Sequence, residues 1–260
     1  MSKTATQEIT ISKSGHVATI TIDRPPNNHV SVELMRDLAD ILENLDGDSK
    51  FRAVVLASAG KAFCAGADLV SSDGIANNGM GGINALYDQA VRLFSIETPI
   101  VAAVQGAAVG AGLGLALVAD FRVAAPEARF AANFVKLGFH PGFGLTHTLP
   151  RLIGEQRAAL MFLTGRRVKA EEGIAWGLVD EVVPLHKLLE AAQALAAEIA
   201  ENAPLAVVAT RKTIRGQLAA AVREQTNHEH AQQTILRATD DFAEGVRSVQ
   251  ERRPGNFKGR

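Results

Sequence analysis

The residues best suited to chemistry lie in two glycine-rich turns. The first spans Val104 to Asp120 (V-Q-G-A-A-V-G-A-G-L-G-L-A-L-V-A-D), with an apolar run, Pro99 to Val104, leading in and an Ala/Leu helical pattern leading out. Gly106, Gly110, Gly112 and Gly114 let the backbone turn tightly and approach a ligand. The first amides of the helix have no intrahelical acceptor, which makes them donors for developing negative charge. The same glycines suit a helix packed closely in a core, and the stretch alone leaves both readings open. The second turn is Lys61-Ala-Phe-Cys-Ala-Gly-Ala-Asp-Leu69, following a short apolar strand. Small residues Ala65, Gly66 and Ala67 leave the Ala67 amide accessible, and Asp68 is placed to cap the next segment. Two amides, one from each turn, would converge on one oxygen and stabilise an oxyanion or enolate, a contribution of roughly 3–4 kcal/mol per donor in hydrolytic systems.

Competing motifs fall short. Gly110-Ala-Gly-Leu-Gly114 places Leu115 where a dinucleotide fingerprint needs a small residue, and it lies deep in the chain rather than after the first strand. Gly60-Lys61 lacks the other parts of a phosphate-binding loop, and neither G-x-S-x-G nor H-E-x-x-H occurs. Of 260 residues, 47% are hydrophobic, enough for one large domain or a core with an appendage. A net charge of −1 without blocks of like charge argues against nucleic acid as the main partner. A single cysteine, Cys64, rules out an internal disulfide or a multi-cysteine metal site. No run reaches the length of a membrane span, and the N-terminus has no secretory h-region, so a cytoplasmic protein is expected.

The elements that must position these turns follow an α/β order. Ile9–Ile11 and Val17–Ile22 predict a hairpin turning at Ser14-Gly15, and 23–29 a proline-rich loop. Ser31 is a plausible cap for a helix with Leu34, Leu38, Ile41, Leu42 and Leu45 on one face. Ala53–Ala57 predicts a strand buried on both faces. Residues 71–82 read as a mobile surface segment, and Ile83 to Phe94 as an amphipathic helix. Phe121–Ala124, a strand holding Phe134, and 178–183 complete the strands. From Pro204 the pattern is helical, giving a body over 1–203 and a helical region over 204–260, either a lid on its own body or an oligomer contact.

A-F-C-A-G-A-D-L, the 104–120 stretch, G-F-H-P-G-F-G and L-T-G-R-R-V-K-A-E-E-G-I-A-W-G-L-V-D resemble the enoyl-CoA hydratase/isomerase (crotonase) family, in order over nearly the whole chain. The resemblance implies an α/β crotonase-type (ClpP/crotonase) spiral of ββα units with a C-terminal helical trimerisation region. It implies a homotrimer or dimer of trimers, acyl-CoA thioesters as ligands, and no cofactor beyond the coenzyme A of the substrate. It assigns the oxyanion-hole amides to Ala67 and Ala111. Arg24, Lys61, Phe63, Ala65, Ala67, Asp68, Leu69, Val70, Gly110, Ala111, Gly114, Phe134 and Gly142 are the implied substrate-binding positions.

The chain departs from the family where protons move. Gly114 and Phe134 stand at the two usual glutamate places, and a third place, used by some isomerases, falls near Gly142. Water addition needs a general acid and base within hydrogen-bond reach. His140, in a glycine-rich loop, is the candidate acid/base residue, against the simpler reading of a loop histidine bonded to backbone. Lys136 would share a strand face with Phe134, and Phe134 itself would fill the pocket. The expected activity is therefore hydratase/isomerase-like, by stabilisation of a thioester enolate. The alternative is a non-catalytic acyl-CoA-binding paralogue or scaffold.

Overall fold

The computed structural model describes residues 8–67 and 79–260. Strands β1 (Ile9–Ser14) and β2 (Val17–Ile22) form the expected antiparallel hairpin, with Gly15 at φ 55° in the turn. β2 then pairs in parallel with β3 (Ala53–Ser58), β3 with β4 (Ile100–Val104), β4 with β6 (Phe121–Ala124), and β6 with β9 (Glu181–Val182). A second sheet joins β5 (Ala107–Val109), β7 (Arg129–Ala131) and β8 (Arg167–Lys169). The last strand is shorter than the expected 178–183. β8, with one apolar residue in Arg-Val-Lys, carries too little alternation to be read from sequence.

The period of two decides which residues meet which layer. Val54, Leu56, Ile100, Ala102 and Val104 enter the main core with helices α1 (Val32–Asp46), α2 (Gly79–Ser95) and α3 (Ala111–Val118). Their neighbours Ala53, Val55, Ala57, Val101 and Ala103 face α7 (Leu188–Ala200), which seals the other side with Leu188, Ala192, Ala196 and Ala200. β3 is thus buried on both faces, as its continuous apolar run requires. Ser31 caps α1, its hydroxyl accepting from the Leu34 amide at 3.1 Å.

Helices α4 (Leu145–Ile153) and α5 (Glu155–Thr164) lie between β7 and β8, and α6 (Ala170–Trp176) follows β8. Beyond Pro204 come α8 (Pro204–Arg215), α9 (Leu218–Arg237) and α10 (Asp240–Gln250). α9 lies against α2 and α4, with Leu218 and Val222 in the main core, so this part of the tail covers its own body. No helix among the described residues is long and apolar enough to cross a membrane.

Candidate active site

The two turns meet because the loop after β3 is laced to β5 like an extra strand. The Cys64 amide donates to the Ala107 carbonyl at 2.9 Å, and the Val109 amide returns a bond to the Cys64 carbonyl at 3.0 Å. Asn28 Nδ2 donates to the carbonyls of Ala59 and Ala62, both at 2.8 Å, and Gln105 Nε2 donates to those of Ser58 and Ala62, both at 2.9 Å. On the outer side, the Val30 amide donates to the Gly66 carbonyl at 3.0 Å. Packing against other parts of the protein accounts for the missing Cβ at three of the glycines. A Cβ on Gly106 or Gly112 would overlap the backbone of Lys61 or Cys64, and one on Gly114 would strike the Phe143 ring. Gly110, at φ 56°, faces Phe134 and precedes Ala111, the first residue of α3.

Ala67 and Ala111 both line one cavity of about 250 Å³. The Ala111 nitrogen is 3.9 Å from the point a Cβ on Gly66 would occupy, which puts the two turns in contact there. Leu86, Leu137, Phe139 and Phe143 make the wall apolar. The polar side chains on it are His29, Tyr87, Asn133 and Gln233, and no Asp, Glu, Lys, Arg or Cys lines it among the described residues. Tyr87 Oη donates to Gln233 Oε1 at 2.8 Å, while Gln233 Nε2 donates to the carbonyls of His140 at 2.8 Å and Pro141 at 3.3 Å. Burial, reinforced by nearby Glu229, pushes the Tyr87 hydroxyl above its ordinary range, so it stays neutral.

The model of the family described as enoyl-CoA hydratase/isomerase matches residues 12–260. The chain belongs to the enoyl-CoA hydratase/isomerase family. It is 39% identical over 232 residues to a Mycobacterium tuberculosis protein named probable enoyl-CoA hydratase EchA14, covering 88% of this chain and 89% of the relative. It is 32% identical over 265 residues to carnitinyl-CoA dehydratase of Salmonella typhi, covering 98% and 99% of the two chains. Among solved structures, an enoyl-CoA hydratase/isomerase from Pseudoalteromonas atlantica superposes with a TM-score of 0.86 at 31% identity, over 97% of this chain and all (100%) of that one. The fold is the crotonase-type spiral that the resemblance implies.

Within this enoyl-CoA hydratase/isomerase fold the implied site residues separate into three groups. Ala65, Ala67, Gly110, Ala111, Phe134 and Gly142 line the cavity together. Phe63 is fully buried in the main core, and Gly114 is buried against Phe143, so neither lines the cavity. The Arg24 guanidinium is engaged by Glu8 at 3.0 Å and the His29 carbonyl at 2.7 Å, and Lys61 is exposed. Asp68, Leu69 and Val70, like the 71–78 part of the expected surface segment, lie outside the described residues.

His140 is not on the cavity wall. Its Nδ1 lies 2.8 Å from the Pro141 carbonyl, its ring packs edge-on to His228, and burial lowers its pKa. This is the simpler of the two readings, a loop histidine bonded to backbone, and the structure gives the acid/base candidate no place on the cavity. Phe134 is not in a strand either: Asn133–Leu137 is a 3₁₀ turn closed by Gly138 in the left-handed region at φ 65°. With a period of three, Lys136 leaves the Phe134 side, and its stem lies near Gly165 instead. Cys64 is buried, and desolvation pushes its thiol up to about 12, which makes it a small core residue rather than a nucleophile.

Sequence reasoning missed Glu229. This fully buried carboxylate on α9 accepts from the Gly144 amide at 2.7 Å, the Thr146 amide at 3.0 Å and the Thr146 hydroxyl at 2.6 Å. It caps the start of α4 from 85 residues away and fixes the loop that brings Gly142 and Phe143 to the cavity. Burial raises its pKa from 4.5 to about 7, against the opposing pull of those three donors. The folded state therefore holds a proton that the unfolded state has lost between these values, and stability falls as pH rises through that window. Glu229→Gln cannot titrate. Its stability relative to the parent should rise between about pH 4.5 and 7, read from urea midpoints at several pH values, and a pH-independent difference would contradict the assignment.

Proposed function

We propose that this protein binds acyl-CoA thioesters and acts on them as a hydratase/isomerase-like enzyme. The thioester oxygen sits between the amides of Ala67 and Ala111, and the acyl chain enters the apolar cavity. The supporting observation is the meeting of both glycine turns at one apolar cavity, where a developing enolate would be held in a dry, preorganised site. The usual glutamate pair is replaced by Gly114 and Phe134, so water addition by paired carboxylates is not the route. Phe134 over Gly110 makes the cavity drier. A homotrimer or dimer of trimers in the cytoplasm belongs to the same reading, and Leu205 and Ile214, 85% and 70% exposed on α8, supply apolar surface for it.

A second reading, a non-catalytic acyl-CoA-binding paralogue, draws on Phe143. Its ring fills the space beside Gly114, so that place cannot carry a carboxylate without repacking. Thermal unfolding with butyryl-CoA and with free coenzyme A, followed by turnover of an enoyl-CoA panel, tests both. Ligand at a hundred times its Kd should stabilise the fold by about 2.7 kcal/mol. Absence of any shift with acyl-CoA sinks both readings, whereas binding without turnover leaves the second.

A further inference from the structure

His29 carries the one imidazole on the described cavity wall, where the Tyr87 hydroxyl is tied to Gln233. Its ring is oriented by neighbours whose hydrogen-bond roles are fixed. Nδ1 lies 3.2 Å from the Gly66 carbonyl oxygen, which can only accept, so Nδ1 carries the hydrogen. Nε2 is left as the lone-pair atom, and Asn27 Nδ2, a donor, faces it at 3.5 Å. The backbone is held as firmly: Arg24 Nη1 donates to the His29 carbonyl at 2.7 Å, and the next amide, Val30, donates to the same Gly66 carbonyl. That carbonyl belongs to the peptide unit whose N–H is the Ala67 donor. The imidazole and the oxyanion amide therefore share one peptide group.

We propose that His29 is the proton-transfer residue of this cavity, its Nε2 removing a proton from the α-carbon of a bound acyl-CoA thioester. The proposal rests on the acyl-CoA reading above. In the step, the α C–H bond breaks and an Nε2–H bond forms. The C–H electron pair becomes the enolate double bond, and the carbonyl π pair moves onto oxygen, where the Ala67 and Ala111 amides receive it. Return of the proton to the same carbon restores the thioester.

The test is deuterium exchange into butyryl-CoA in D₂O, read by mass spectrometry beside a direct binding measurement. The parent protein should bind and exchange. His29→Ala should lose about 100-fold or more of the exchange rate with binding retained, and added imidazole should restore part of it. His29→Gln can still donate to the Gly66 carbonyl, so it should keep the loop and the binding yet exchange no faster than His29→Ala. Undiminished exchange in either variant overturns the role of His29 alone. Binding without exchange in the parent also overturns it and leaves a holder of acyl-CoA. Failure of the parent to bind removes the acyl-CoA reading as well.

Discussion

Gly112→Ala is expected to pull the two turns apart and abolish acyl-CoA binding. A Cβ at this position would overlap the Cys64 carbonyl oxygen and come within 2.7 Å of its carbon and 2.9 Å of the Cys64 Cβ. The obstacle is backbone, and it cannot retreat, because Cys64 is bonded through both its amide and its carbonyl to β5. Nor can α3 shift freely, since every residue of that helix is buried. Overpacking a core usually costs 1–3 kcal/mol, and a rigid obstacle puts this case at about 3 kcal/mol or above. For a chain of this size that lowers Tm by about 6–12 °C. The binding loss should be larger than the stability loss suggests, because the displacement falls between the loop ending at Ala67 and the helix starting at Ala111. Gly47→Ala, where the nearest atom to the new Cβ is 3.7 Å away at ordinary contact, is the matched control. A Gly112→Ala protein with parental Tm and parental butyryl-CoA affinity would refute this account of how the turns are joined.

The same glycine shows what the sequence could and could not reveal. Spacing correctly marked Gly106 to Gly114 as a place of close approach, but a missing Cβ does not name what comes close. At Gly106 and Gly112 it is another backbone, at Gly114 a phenylalanine ring, and at Gly110 the cavity's edge. Local signals were legible where the deciding physics is local. The Ser31 cap, the Gly15 hairpin and the doubly buried β3 all follow from neighbouring residues. Phe134, placed in a strand by the resemblance, lies instead in a 3₁₀ turn that Gly138 closes in the left-handed conformation.

Polar residues of the site were harder to find. Glu229 sits in E-Q-T-N-H-E-H, a stretch that reads as a solvated helix face, and only the distant turn at 144–146 buries it. His29 lay in a loop recognised for its prolines alone. The local cue was its neighbour Asn28, a buried amide that clamps the 59–62 turn and so carries residue 29 to the Gly66 carbonyl. His140 drew attention through its glycine-rich setting, yet its backbone carbonyl, accepting from Gln233, is what serves the cavity. The site is thus assembled from backbone placed by amide side chains, a pattern that leaves little trace in residue identity.

Ala111→Pro isolates the donor itself. Ala111 is the first residue of α3, where the amide has no intrahelical acceptor and proline's fixed φ suits the helix. Gly110 before it has no Cβ to meet the proline ring. The substitution therefore removes one N–H without removing a structural hydrogen bond, and the fold should survive it. If that amide stabilises the thioester oxygen, catalysis or α-proton exchange should fall about 10²–10³-fold, equivalent to roughly 3–4 kcal/mol. Affinity for free coenzyme A, which has no carbonyl to place there, should be kept. Ala111→Gly retains the N–H and should stay close to the parent, which separates loss of the donor from loss of the methyl group. Parental rates in a folded Ala111→Pro protein would take the oxyanion out of this site, and with it the reason for both turns to meet.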